Sequence, residues 1–183
     1  MSDECYLASI LFRIKVHAFV LMPNHFHLLV TTPEQDLGKV MNTFMSDVTR
    51  TINRLSGRSG RIFGGPYHWS LIHSSLYYAH ALKYVYRNPI KAKIVNKVEE
   101  YPWSTLYGVL GKSHCPIPIW FPRSGLGISF VPDEMNSLLE WLNRPFLSET
   151  ELLIQKGLKK KYFGLLKNRN VRKEEKILKN QNL

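Results

Sequence analysis

Met22-Pro23-Asn24-His25-Phe26-His27-Leu28-Leu29-Val30 carries a turn signal and, directly after it, the start of a strand. Proline pre-sets its own φ and asparagine tolerates tight turns, so Pro23-Asn24 marks a sharp reversal. From His25 the residues begin to alternate polar and apolar, the pattern of a half-buried strand. Upstream, Ile10 to Met22 reads as a strand, or as a helix end followed by a strand, rich in Ile, Val and Phe. The two runs predict an antiparallel hairpin. Because strand side chains alternate with period two, His25 and His27 share one face while Phe26 points to the other, toward the core.

Downstream of Pro33, apolar residues fall at Leu37, Val40, Met41, Phe44, Val48, Ile52 and Leu55. Gaps of three and four predict an amphipathic helix, stopped by the flexible, basic Ser56-Gly57-Arg58-Ser59-Gly60. Tyr67 to Ile72 is expected to pair as a short strand. Ser74 or Ser75 is a suitable N-cap for a second helix running to about Asn88, with Pro89 setting its end. Beyond Tyr101-Pro102-Trp103-Ser104 the composition shifts. Residues 112–132 are rich in Pro and Gly and read as a linker, followed by a short helix over Asp133 to Leu142 and a basic tail. This divides the chain into 1–111 and an extension, 112–183.

The charge balance points to a polyanion. The 183 residues carry a net charge of +11. Between Asp47 and Glu99 there are nine Lys/Arg and no carboxylate, interleaved with Tyr67, Trp69, Tyr77, Tyr78, Tyr84 and Tyr86. Phosphates reward cations and bases reward aromatic stacking, so nucleic acid is the leading partner. From Lys156 onward ten Lys/Arg face two Glu, which fits either a phosphate-binding tail or a solvated terminus. Leu158, Phe163, Leu165 and Leu166 would give part of that tail a helical apolar face. No apolar run approaches the roughly 18 residues of a membrane span, and Met1-Ser2-Asp3-Glu4-Cys5 lacks the pattern of a signal peptide. Two distant cysteines, Cys5 and Cys115, fit a reducing, cytoplasmic setting.

Two histidines on one strand face can share a metal ion, though HxH alone does not distinguish ligands from incidental residues. Tyr84 and Asn88 are four apart and so share a helical face. An amide oxygen suits Mg²⁺ or Mn²⁺, and a phenol beside a cation loses its proton more readily. His80, one turn earlier, is a further candidate for the same face. Packing of Tyr77, Tyr78, Tyr84 and Tyr86 against the sheet explains the tyrosines equally well.

The Met22–Val30 block, Gly60-Arg61-Ile62-Phe63, Tyr84-Val85-Tyr86-Arg87-Asn88-Pro89-Ile90-Lys91-Ala92 and Tyr101-Pro102-Trp103-Ser104 together resemble the REP-associated tyrosine transposases, a branch of the IS200-like transposases with a His-x-His nuclease domain. The resemblance covers about residues 10 to 108. It implies an α+β fold, ferredoxin-like, with an antiparallel sheet and helices packed on one face. It implies a single-strand DNA endonuclease and strand transferase that forms a 5′-phosphotyrosine at hairpin-bearing DNA. Carried over position by position, Tyr84 would be the nucleophile, and His25, His27 and Asn88 the ligands of Mg²⁺ or Mn²⁺. Tyr86 is set aside because Asn88 lies only two residues beyond it.

The expected DNA contacts are Arg58, Arg61, Tyr67, Lys83, Arg87, Lys91, Lys93, Lys159, Lys160 and Lys161, in a monomer or homodimer. Two departures stand out. The family opens with an additional strand, expected to be missing here and to leave a sheet edge exposed. Where the family often has a basic residue before the tyrosine that follows Gly-Arg-Ile-Phe, this chain has Pro66 before Tyr67. A relative that holds structured nucleic acid without cutting it is the alternative function; an unrelated HxH metal hydrolase would need a further ligand cluster that the sequence does not display.

Overall fold

A computed structural model of the chain describes residues 2–33, 36–120 and 130–163. Helix α1 (Ser2–Leu11) leads into strand β1 (Lys15–Leu21), which pairs antiparallel with β2 (Phe26–Thr31). Val20 stands opposite His27 and Leu21 opposite Phe26. Pro23 and Asn24 make the turn, closed by Met22 N–H donating to the His25 carbonyl at 2.8 Å. The hairpin is the one the turn signal predicts. A bulge between Val16 and Ala18 re-aims His17, whose ring meets Tyr78 edge-on.

Helix α2 (Leu37–Ser56) buries Val40, Met41, Phe44 and Val48, four of the residues that define its apolar stripe. Asp36 caps it by accepting from Lys39 N–H, and Gly57 ends it at φ 62°, a left-handed geometry that costs glycine little. Helix α3 (Ser75–Lys91) starts on the Ser74 cap. It continues through Pro89 rather than stopping at Asn88. Proline has no N–H for the Val85 carbonyl; the Asn88 side-chain amide instead donates to Tyr84 O at 2.8 Å and to Val85 O at 3.4 Å. The helix then closes with Ala92 N–H on Asn88 O.

The rest of the described chain is a 3-10 turn (Val98–Glu100), α4 (Thr105–Val109), α5 (Met135–Asn143), α6 (Ser148–Leu158) and β4 (Tyr162–Phe163). The stretch expected as a strand forms only β3 (Leu71–Ile72), which pairs in parallel with β4 and not with the hairpin. Phe163 is therefore a buried strand residue, not part of a helical face. Leu165 and Leu166 lie outside the described residues.

The result is α+β with a small antiparallel sheet, and helices cover both of its faces rather than one. Ala18, Val20 and Leu29 pack with Leu82, Val85 and Tyr86 of α3. Val16 and Phe19 pack with Phe44 and Val48 of α2 and Cys5 and Ala8 of α1. The cluster around α3 also takes in Leu138, Trp141 and Leu142 of α5, Ile154 of α6 and Phe163, so the expected extension shares its core with the hairpin.

Later segments cover the outer edge of β1. Leu21 N–H donates to Trp103 O at 2.9 Å and Trp120 N–H donates to Val16 O at 2.8 Å. Thr105 Oγ1 accepts from Phe19 N–H at 3.0 Å, and Tyr101 Oη donates to Leu21 O at 2.6 Å. The Tyr-Pro-Trp-Ser segment thus satisfies backbone groups that would otherwise pair with another chain. No helix among the described residues is long and apolar enough to cross a membrane.

Candidate active site

The alternation of β2 puts His25, His27 and Leu29 on the face toward α3, and Phe26, Leu28 and Val30 on the α2 side, where Phe26 meets Phe44 edge-on. The imidazoles converge: His25 Nε2 and His27 Nε2 are 3.1 Å apart with the rings nearly perpendicular. His25 Nδ1 lies 2.6 Å from Asn24 Oδ1. An amide oxygen only accepts, so Nδ1 carries a proton and Nε2 is the ring nitrogen turned toward His27. Asn24 therefore orients the ring as well as shaping the turn.

His27 is half-buried, and its pKa is pushed down to about 4, chiefly by burial and then by His25. Lys91 pushes the same way, and a side-chain hydrogen bond to Asn88 opposes. Because the Asn88 amide nitrogen is committed to helix carbonyls, its oxygen is the atom that faces His27. At neutral pH His27 is uncharged, as a ligand must be.

These residues suit a divalent cation. Two ligands about 2.1 Å from one ion at a right angle stand about 3.0 Å apart, close to the observed 3.1 Å. Among the described residues no group of three or more His, Cys, Asp or Glu could hold a metal; the Asn88 amide is the further donor that interacts with His27.

Tyr84 is half-buried beside them, its ring edge-on to His27 with centroids 5.9 Å apart. Burial raises its pKa, and the negative charge of Glu151 on α6 raises it further. The chain's own groups thus hold this phenol protonated, opposite to the effect expected of a neighbouring cation. Lys91 Nζ is 5.6 Å from the Tyr84 ring centroid and pairs with Glu151 Oε1 at 3.1 Å. Neither Asn24 nor Glu151 is marked by spacing or charge. An asparagine directly before an HxH is the signal for the first; the second depends on tertiary packing.

Tyr86 is fully buried, and its hydroxyl meets Thr105 Oγ1 at 3.0 Å and donates to His17 O at 3.4 Å. It is a core tyrosine. His80 does not join the site: its ring is fully buried against Phe146. Lys83 and Arg87 lie on that same side of α3, and neither stands as a surface cation. Lys83 is 3% exposed, with its ammonium 5.0 Å from the Trp141 ring. Burial first, then Arg87 and Arg144, lowers its pKa to about 8. Arg87 donates to Leu142 O and Asn143 O at the end of α5. Tyr67 is half-buried against the α2 cluster. Arg58, Arg61, Lys93, Lys159, Lys160 and Lys161 are exposed.

A cleft of about 560 Å³ opens beside His25 on the α2 side of the hairpin, lined by the Met22–Phe26 turn, Val48, Ile52, Ile62, Phe63, Ile94, Tyr101 and Trp103 among others.

Over 104 residues the chain is 26% identical to a REP-associated tyrosine transposase of Escherichia coli. The match spans 56% of this chain and 61% of the relative, so the chain covers less than two thirds of the protein it resembles. No family model matches, and no solved structure matches.

Proposed function

We propose that the protein is a transposase-type enzyme that nicks and rejoins single-stranded DNA beside a hairpin through a covalent bond to Tyr84, on a sheet-and-helix nuclease scaffold of the His-x-His class. The observation that carries this reading is the convergence of Tyr84 and Asn88, one helical turn apart on α3, on the Nε2 pair of His25 and His27. The similarity to a transposase so named supports it.

Tyr84 Oη attacks the phosphorus, the P–O3′ bond breaks, and the phenolic proton is given up as the 3′-oxygen takes one. The phosphotyrosyl ester keeps the energy of the broken bond, so a 3′-hydroxyl can reverse the attack and join strands without a nucleotide cofactor. His25, His27 and Asn88 would hold Mg²⁺ or Mn²⁺, which would polarise the phosphate and offset its developing charge. Helix α3 fixes the distance between nucleophile and ligands, because Tyr84 and Asn88 share one turn. The exposed Arg58, Arg61, Lys93 and Lys159 to Lys161 would take backbone phosphates, and Lys91 would meet the strand at the tyrosine once it leaves Glu151.

Incubation with end-labelled hairpin DNA and Mn²⁺ tests this. A nicked strand and a denaturant-resistant protein–DNA species are expected, both lost in Tyr84→Phe. Binding without either product in the wild-type protein would favour the non-cutting alternative.

A further inference from the structure

Three sequence blocks far apart in the chain meet at one cleft. The Met22–Phe26 turn, the Ile62-Phe63 pair and the Tyr101–Trp103 segment wall a space of about 560 Å³ against Val48 and Ile52 of α2, with Ile94 beside them. This is the size range of small-ligand sites, which are mostly apolar with a few fixed polar groups. Trp103 is 64% exposed and Ile94 45% exposed, although the Trp103 backbone is tied down by Leu21 N–H. The main chain is held for structural reasons, while the indole is not used by the core.

We propose that this cleft holds one unpaired nucleobase of the bound strand, stacked on Trp103, where the strand passes the tip of the hairpin. The proposal rests on the single-strand reading above. Of the candidate site residues only His25 lines the cleft, so the cleft opens at the tip of the hairpin that carries the Nε2 pair. Arg61 directly precedes Ile62, and Lys93 directly precedes Ile94; both are exposed, and neither makes an ion pair among the described residues. Apolar walls with a cation next in sequence to Ile62 and to Ile94, and no carboxylate among the lining residues, match a flat apolar base on a phosphate backbone. An apolar peptide would gain nothing from the cations. Asn24 gives its oxygen to His25, leaving its amide nitrogen for a base edge.

The test compares Trp103→Ala and Trp103→Phe, in the Tyr84→Phe background, for binding to single-stranded hairpin oligonucleotides carrying one abasic position at a time. Base–aromatic stacking contributes roughly 1–3 kcal/mol per base, so Trp103→Ala should weaken binding about 5- to 150-fold. Trp103→Phe should stay within a few-fold of the parent. At one abasic position, parent and Trp103→Ala should bind equally. Equal affinity of Trp103→Ala and parent on the intact strand would overturn the proposal, as would a loss that no abasic position removes. If the wild-type protein nicks DNA and Trp103→Ala has no effect on binding, the cleft proposal fails and the nuclease reading stands. If stacking at Trp103 is confirmed and no nick forms, the cleft proposal stands and the nuclease reading fails.

Discussion

Asn88 holds a helix carbonyl with one end of its amide and faces His27 with the other, and substitutions can separate the two roles. Its Nδ2 donates to Tyr84 O and to Val85 O. Tyr84 O has a backbone donor within the helix, but Val85 O does not, because the residue four beyond it is Pro89. Asn88→Asp keeps the oxygen, loses the donor and turns a charge toward that carbonyl. One orphaned, buried carbonyl costs about 1–3 kcal/mol. At a urea slope of about 2 kcal/mol/M the midpoint should fall by roughly 0.5–1.5 M in the metal-free protein. Mn²⁺ at about 100-fold over its Kd should then return about 2.7 kcal/mol, and the aspartate, an anionic ligand, should gain at least as much as the wild type. Asn88→Ala should show the same loss without metal and little recovery with it. Urea melts of the three proteins, with EDTA and with Mn²⁺, give all these values. Full Mn²⁺ recovery in Asn88→Ala would refute the ligand role, and an undiminished metal-free midpoint in Asn88→Asp would refute the helix role.

In the metal-free protein the His27 pKa is depressed to about 4, against about 6.5 when unfolded. The unfolded chain therefore takes up the proton first, and stability should fall by about 1–3 kcal/mol as pH drops from 6.5 to 4; a wild-type loss no larger than that of His27→Gln in urea melts would contradict this. A Cβ added at Gly157 would collide with the Phe163 ring, so Gly157→Ala should cost about 1–3 kcal/mol and raise amide exchange at Tyr162 and Phe163; unchanged exchange would show that β4 holds without this packing. Replacing Lys159, Lys160 and Lys161 with Gln should flatten the slope of log affinity against log salt by about 0.7 for each phosphate of single-stranded DNA that these lysines neutralise, with hairpin preference retained; an unchanged slope would make that run a solvated one.

The parts of the fold legible in the sequence are those set by local rules. Pro23-Asn24 and the alternation from His25 specify the hairpin, and the three-and-four spacing from Val40 to Val48 specifies α2. Tyr84 and Asn88 share a face because the helical period requires it. Where a tertiary contact overrides a local rule, the local signal misleads. Pro89 signals a helix end, yet the Asn88 amide replaces the missing donor and α3 runs on. Lys83 and Arg87 count as cations in the sequence, but only packing against Trp141, Phe146 and the end of α5 shows that they face inward. Glu151 reaches Lys91 because α6 folds back on α3, which no short-range pattern encodes. The covering of the β1 edge by Trp103, Thr105 and Trp120 likewise depends on segments more than 80 residues away in the chain.

The central claim is that Tyr84 makes the covalent bond to DNA. Trapping the protein on hairpin single-stranded DNA with Mn²⁺, digesting it and mapping the nucleotide-bearing peptide by mass spectrometry tests that claim most directly. The expected result is a nucleotide linked through a 5′-phosphate to Tyr84, absent from His27→Ala and Tyr84→Phe. An adduct on any other residue, Tyr86 included, or nicked DNA with no adduct at all, would contradict it.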